Sequence, residues 1–238
     1  MTRGLERFAD EVRLLAGASR RLGELRFVTS HGGNLSWRVS DDRILITPTK
    51  VVKRTMKPDD ICLIDADGAL VDANNGRRPT GETPMHVRIF AQRPDVESIV
   101  HAHPPILTGF SISNRAELLA RPLLPEPVIE AGPVLLVDYA EPVSDALAAE
   151  FDKVIGRTNA FLMKNHGMTV CSAHDVTRTL DILEMLEMEA YSVWVAHSLG
   201  QVDSIPSHEV EAMERTLSGR GLPIPGDPRV VTRLTDQY

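Results

Sequence analysis

The stretch SIVHAHP, residues 98–104, decides both the fold and the chemistry predicted for this chain. Its β-branched residues predict a strand, and Pro104 ends that strand at a position where functional residues often gather. Alternate strand side chains point to one face, so His101 and His103 project together with Cα atoms about 6–7 Å apart. Two imidazoles at this spacing suit two neighbouring ligands of one metal ion. With eight histidines in the chain, an H-x-H pair also arises readily by chance.

A third histidine comes from a predicted loop between two strands. The runs AFLMK (160–164) and MTVCS (168–172) predict strands that meet at Asn165-His166-Gly167, where glycine permits close approach of the backbone. Three neutral imidazoles would leave Zn²⁺ one open coordination position, as a catalytic zinc site requires. The sequence therefore predicts a metal site formed by His101, His103 and His166.

Glu82 is a candidate fourth member of this site. It lies at the start of a helix predicted over residues 83–92, and a carboxylate is also ordinary at a helix N-terminus. His86, one turn further on, is predicted to occupy the core or to support the site. The remaining candidates His174, His197 and His208 are interpreted as surface or helix positions.

Hydrophobic periodicity outlines the rest of the chain. Three early strands and helices that do not alternate strictly with strands predict a mixed or antiparallel sheet in one α/β domain over residues 1–238, with a peripheral tail from about 220. Helices are predicted over 4–22, 105–113, 145–155, 176–199 and 207–218; strands over 35–39, 43–47, 61–65 and 134–138; an exposed loop over 72–81; and irregular structure over 114–133.

Composition narrows the possible partners and compartments. A net charge of −7 argues against nucleic acid and anionic membranes as partners, whereas a small anionic substrate remains compatible. No uncharged apolar stretch reaches the roughly 20 residues of a membrane span, and the first residues show no apolar signal region. Cys62 and Cys171 are interpreted as buried thiols of a cytoplasmic protein.

Two loops are candidate anion sites. The consecutive amides of His31-Gly32-Gly33-Asn34 can form a nest for an oxyanion, and Thr47-Pro48-Thr49-Lys50 supplies hydroxyl groups and a cation. An ordinary polar turn is the alternative interpretation of each loop.

Six ordered motifs resemble the class II aldolase/adducin family over nearly all of residues 5–200. The motifs are GGNLS (32–36), LITPT (45–49), GETPMH (81–86), HAHP (101–104), VDYAEPVS (137–144) and LMKNHG (162–167). The resemblance implies a three-layer α/β/α sandwich around a largely antiparallel sheet. It also implies a homotetramer with active sites between subunits and one divalent metal ion per subunit. Three histidines and a carboxylate suit zinc best, and manganese, cobalt and iron are the alternatives.

The same resemblance assigns roles to individual residues. It implies that His101, His103 and His166 bind the metal, and that Glu82 binds the resting metal and then transfers a proton. The substrate loop implied by the family motifs comprises Gly33, Asn34, Thr49, Lys50, Thr80 and Gly81.

Three departures from the family pattern affect the substrate more than the metal. Lys50 replaces a glycine of the phosphate-binding loop, Gly81 replaces a serine, and Glu126 aligns with a tyrosine that serves as an acid. The implied function is an aldolase-type lyase that cleaves a carbon–carbon bond next to a carbonyl, through a metal-stabilised enediolate, in a sugar phosphate or related small compound. A decarboxylase of an aromatic or oxo acid, a sugar-phosphate 4-epimerase and a non-catalytic adducin-like module are the alternatives.

Overall fold

An eight-stranded sheet forms the middle layer of the computed structural model, which describes residues 2–238. The strand order is β4-β3-β2-β1-β5-β8-β7-β6, and every neighbouring pair is antiparallel except β6 and β7. The strands are β1 (Asn34–Ser40), β2 (Arg43–Ile46), β3 (Cys62–Asp65), β4 (Leu70–Ala73), β5 (Ser98–Ala102), β6 (Val134–Val137), β7 (Ala160–Met163) and β8 (Gly167–Ser172).

Helices cover both faces of this sheet, which confirms the predicted three-layer sandwich. Helices α2, α4 and α7 pack on one face, and α3 and α6 pack on the other. The α-helices are α1 (Arg3–Glu6), α2 (Ala9–Glu24), α3 (Thr83–Gln92), α4 (Pro105–Ser111), α5 (Pro125–Glu130), α6 (Asp145–Glu150), α7 (Val176–Leu199) and α8 (Ser207–Gly219). Short 3₁₀ helices occur at Lys53–Thr55, Pro58–Asp60, Ala116–Ala120, Phe151–Lys153 and Leu234–Gln237.

The central strands are apolar on both sides because each side is covered. Leu35 and Val100 face the layer of α2 and α7, whereas Ile99 lies in the core beneath α3. His101 follows Ile99 by two residues and therefore lies on the α3 face. This alternation places the functional end of β5 under the start of α3.

The local structure departs from the sequence prediction in three places. Residues 72–81 were expected to be a loop, but Asp72 and Ala73 belong to β4, because Gly68 (φ +88°) closes a hairpin with β3. The helix expected over 4–22 is interrupted between α1 and α2 at Arg7 and Phe8. The stretch 114–133, expected to be irregular, contains one 3₁₀ helix and α5.

The segment after residue 220 packs against α5 and α8. Leu234 is buried in a small apolar cluster with Val128, Val210 and Leu217. The side-chain amide of Gln237 donates to the carbonyl oxygens of Arg157 (2.7 Å) and Pro225 (2.8 Å). No helix within residues 2–238 combines the length and apolar character needed to cross a bilayer.

Candidate metal centre and active site

The site begins with three side chains that lie in register across three neighbouring strands. Asn34 on β1 pairs with His101 on β5, which pairs with Thr169 on β8. Because paired residues on adjacent strands share a face, all three side chains point toward the layer of α3. His101 is central in this row and fully buried.

Hydrogen bonds fix the orientation of His101. Its Nδ1 lies 3.0 Å from the carbonyl oxygen of Met168 and 3.1 Å from Oγ1 of Thr169. A carbonyl oxygen can only accept, so Nδ1 carries the proton and Nε2 presents a lone pair. This Nε2 is buried and has no hydrogen-bond partner within residues 2–238. Burial, followed by the charges of His103 and His166, lowers the pKa of His101 and favours the neutral imidazole that a metal ion binds.

His103 lies just beyond the end of β5, where two glycines make room for its ring. Its backbone N–H donates to the carbonyl oxygen of Phe27 at 2.7 Å. A Cβ atom at Gly167 would lie 2.5 Å from Cδ2 of His103, and a Cβ atom at Gly32 would lie 3.0 Å from its Nδ1. These positions must therefore stay small for His103 to approach the other histidines. Burial is also the main cause of the lowered pKa of His103.

His166 completes the cluster from the turn between β7 and β8. Asn165 adopts φ +55° in this turn, a conformation that asparagine tolerates better than most residues. The ring centroids of the three histidines are 4.8–5.3 Å apart, and one ligand atom from each lies within 4.8 Å of the others. The structure thus brings together the three histidines predicted from the sequence.

Glu82 faces this cluster from the N-cap of α3. One carboxylate oxygen lies 3.4 Å from Nε2 of His101, and the other lies 3.5 Å from Nε2 of His166. Nε2 of His103 is also buried and has no hydrogen-bond partner within the described chain. Buried nitrogen lone pairs that converge with a carboxylate, and that lack protein donors, fit one divalent cation. The residues present can therefore hold the metal ion that the sequence predicts.

A chain of hydrogen bonds behind Glu82 holds its carboxylate in place. Nδ2 of Asn34 donates to Oε2 of Glu82 (2.7 Å), Nε2 of His86 donates to Oδ1 of Asn34 (2.5 Å), and Oγ of Ser36 donates to Nδ1 of His86 (2.7 Å). Burial lowers the pKa of His86 to about 4, so this ring is neutral near pH 7. Ser36 was missed by the sequence prediction, whereas the position of His86 one turn after Glu82 was the signal for its supporting role.

The predicted substrate loops lie next to one another beside Glu82. The backbone N–H of Thr49 donates to the carbonyl oxygen of Arg78, and that of Thr80 donates to the carbonyl oxygen of Thr47, both at 3.0 Å. Thr49 and Lys50 are exposed. Lys50 adopts φ +57°, which accounts for the glycine that the family pattern has at this position.

Glycines 33 and 81 shape the loop for different reasons. Gly33 adopts φ +69°, and a Cβ atom there would lie 2.5 Å from Cγ1 of Val28. A Cβ atom at Gly81 would lie 2.7 Å from Cγ1 of Val143, which itself adopts the strained φ of +66°. The space of the family's serine side chain is thus occupied by Val143. Glu126 is exposed on α5, a helix that packs against α7 and α8.

Comparison with known proteins agrees with this geometry. The family model described as the class II aldolase and adducin N-terminal domain matches residues 13–193. The chain belongs to this family. It is similar to L-fuculose phosphate aldolase of Methanocaldococcus jannaschii, with 34% identity over 171 residues that cover 72% of this chain and 88% of that protein.

A second relative and a solved structure extend the comparison. The 3-oxo-tetronate 4-phosphate decarboxylase of Haemophilus influenzae is 28% identical over 179 residues, 74% of this chain and 83% of that protein. The crystal structure of YgbL from Escherichia coli shares the fold with a TM-score of 0.77 at 23% identity, covering 86% of this chain and 98% of that one. The chain is therefore a metal-dependent carbon–carbon lyase, as the family resemblance predicted.

Proposed function

We propose that His101, His103 and His166 bind one Zn²⁺ ion, and that Glu82 is both its fourth ligand and the group that transfers a proton. The observation that carries this proposal is the convergence of three imidazoles and one carboxylate, with one nitrogen of each imidazole buried and without a hydrogen-bond partner in residues 2–238. Three imidazoles and a carboxylate suit Zn²⁺ best, although Mn²⁺, Co²⁺ and Fe²⁺ also accept such ligands.

The reaction proposed is aldolase-type cleavage next to a carbonyl. When bound, the divalent ion supplies Lewis acidity at the substrate carbonyl. Breaking the carbon–carbon bond leaves an electron pair on the adjacent carbon, and that carbon must gain a proton. The hydroxyl group that becomes the aldehyde loses a proton in the same cleavage, so no net proton is consumed. The burial of Glu82 and its hydrogen bond from Asn34 support the proposal that its carboxyl group delivers a proton to the carbon and recovers it in the reverse direction.

A small anionic substrate, most simply a sugar phosphate, is proposed to lie on Gly33, Asn34, Thr49, Lys50, Thr80 and Gly81. The names of both curated relatives include a phosphate group. The loops that carry these residues are joined by backbone hydrogen bonds and adjoin Glu82. Lys50 adds one exposed positive charge where the family pattern has glycine.

Decarboxylation is the second candidate, because two observations favour it. Gly81 occupies the position of a serine in the aldolase pattern, and Glu126 that of a tyrosine that serves as an acid. In addition, a 3-oxo-tetronate 4-phosphate decarboxylase is among the relatives. In this reaction the leaving fragment is CO₂, and the same carbon gains a proton from Glu82. The same three histidines and Glu82 would serve either reaction.

The decisive assay supplies the metal-loaded protein with dihydroxyacetone phosphate and an aldehyde. We expect a phosphorylated ketose to form, and its formation to stop after chelation of the metal. If no condensation occurs while a phosphorylated 3-oxo acid or an aromatic acid releases CO₂, the decarboxylase replaces the aldolase. Inversion at C4 without release of fragments would identify an epimerase. A protein that binds no metal and turns over none of these substrates would be an adducin-like module.

We further propose that the protein is a cytoplasmic homotetramer with active sites at subunit interfaces. Helix α7 exposes large apolar side chains, which supports an interface along it: Met188, Tyr191, Trp194, Val195 and Leu199. Cys62 and Cys171 are buried and free, and burial raises the pKa of both thiols, as expected of unreactive cysteines in a reducing compartment. Light scattering of the purified protein tests the tetramer, and a monomeric mass would contradict it.

A further inference from the structure

Lys53 is a buried cation to which the proposed function assigns no role. It begins the 3₁₀ helix Lys53–Thr55, directly after the loop that contains Thr49 and Lys50, and its side chain is 1% exposed. A lysine is almost never buried to this degree unless it is paired, because removal of an ammonium ion from water is costly. The contacts of the Lys53 ammonium group therefore indicate the role of its charge.

The ammonium group has weak partners in the structure. Nζ donates to the carbonyl oxygens of His31 (3.3 Å) and Val51 (3.4 Å), both longer than a charge-assisted hydrogen bond. Within residues 2–238 no carboxylate raises the pKa of Lys53, as an ion-pair partner of Nζ would. Burial without a counter-charge lowers the pKa of Lys53 to about 8. The side chain thus carries one unused donor and no compensating negative charge.

The position of Lys53 relates it to the candidate active site. His31, whose carbonyl oxygen accepts from Nζ, precedes Gly32, and the backbone of Gly32 packs against the ring of His103. The charge of Lys53 also acts on His103: after burial and the charge of His166, it contributes to the lowered pKa of that histidine. The ammonium group therefore lies against the carbonyl group of His31, one residue before the glycine that packs on the ring of His103.

We propose that Lys53 is a specificity-determining residue, whose ammonium group supplies the buried positive charge that pairs with an anionic oxygen group of the bound substrate. This inference rests on the proposed function, since it places the anionic group of the substrate at the loop 31–34, whose Gly33 and Asn34 belong to the proposed substrate site. An arriving phosphate or carboxylate provides the counter-charge that the free protein lacks. The cost of burying the ammonium ion without a partner is thereby offset only in the complex.

The test compares Lys53→Met, which keeps the length of the side chain and removes its charge, with Arg54→Met. Arg54 is the adjacent exposed cation, so its replacement removes one charge without altering the buried site. Calorimetric titration of the metal-loaded proteins with inorganic phosphate and, separately, with oxalate measures the two anion classes. We expect Lys53→Met to weaken the binding of at least one of these anions tenfold or more. Arg54→Met should leave both affinities within twofold of the wild type. The anion whose binding is weakened identifies the group that Lys53 binds.

Thermal unfolding separates this role from simple support of the loop. We expect Lys53→Met to raise the melting temperature of the ligand-free protein by about 2 °C or more, because an unpaired buried charge is removed. A lower melting temperature with unchanged binding of both anions would overturn the proposal and assign Lys53 a structural role. The metal content of the same samples is an independent control. If the wild type holds no metal but Lys53→Met still weakens phosphate binding, the metal proposal fails and this one stands.

Discussion

The histidine cluster and the substrate loops lie side by side but are built in different ways. His101 belongs to the central strand β5 and is fully buried, and its ring is fixed by the backbone of β8. Thr49 and Lys50 are exposed on a loop in which Lys50 takes a left-handed conformation. Under the proposed function, the metal site depends on the packing of the sheet, whereas the substrate site also includes exposed loop residues at which departures from the family pattern are accommodated. Lys50 and Gly81 are such departures.

The largest effect is expected from the carboxylate that joins the two regions. Glu82→Gln keeps the size of the side chain but removes its capacity to accept and release a proton. We expect kcat to fall by about 10²–10⁴-fold with the metal retained, because the three imidazoles are untouched. Steady-state kinetics together with elemental analysis check this outcome. Near-normal turnover would remove Glu82 from proton transfer.

The next largest effect is expected from Lys53, whose contribution to the free energy of unfolding depends on pH. The pKa of Lys53 falls from 10.5 to about 8 in the folded protein, so the unfolded chain binds the additional proton between these values. Wild-type stability should therefore rise relative to Lys53→Met as the pH increases from about 8 to 10.5, by up to about 3 kcal/mol. Urea unfolding of both proteins from pH 7 to pH 10 measures the difference. A difference independent of pH would contradict the burial of a charged ammonium ion.

The support behind Glu82 should have an intermediate effect. His86→Leu removes the donor to Asn34, and we expect kcat to fall about 10–100-fold, as for other residues that orient metal ligands. His86→Gln can still donate to Asn34 from its amide and should recover part of the lost turnover. Metal content should stay normal in both proteins. Equal loss in the two variants, with unchanged melting temperatures, would show that the hydrogen bond to Asn34 does not matter.

The smallest effect is expected at the exposed loop. Gly81→Ser restores the hydroxyl of the family pattern, but its Cβ would lie 2.7 Å from Cγ1 of Val143. We expect this crowding to cost about 1 kcal/mol and to lower the melting temperature by about 2–4 °C, with metal content unchanged. The double variant Gly81→Ser, Val143→Ala should regain the loss. If the melting temperature of the double variant is as low as that of Gly81→Ser alone, the steric explanation for Gly81 is wrong.

Local patterns predicted the parts of the site that are local. Strand alternation placed His101 and His103 on one face, and the strand–loop–strand pattern placed His166 at a turn, since each depends on a few neighbouring residues. The support for Glu82 depends on the register between β1 and α3, which brings together Asn34 and His86 across 52 positions. No hydrophobic periodicity in the sequence indicates a contact between residues so far apart along the chain.

The misses in the fold have the same physical origin. Asp72 looks like a loop residue, but its carboxylate accepts from the hydroxyl of Thr2 (2.5 Å) and the N–H of Leu5 (3.2 Å), far along the chain. Lys53 resembles any surface lysine until the loop 31–34 folds over it. Polarity predicts exposure on average, and the exceptions arise from tertiary contacts. The resemblance to a known family supplied the sandwich fold and the site assignments that local pattern alone left open.

The metal content of the purified protein tests the central claim most directly. Elemental analysis should find about one divalent ion per chain in the wild type and in His208→Ala, which alters an exposed histidine far from the cluster in sequence. His103→Ala should lose the ion and the activity while its circular dichroism spectrum remains that of the wild type. Full metal content in a folded His103→Ala protein would contradict the assignment of the three histidines as the metal centre.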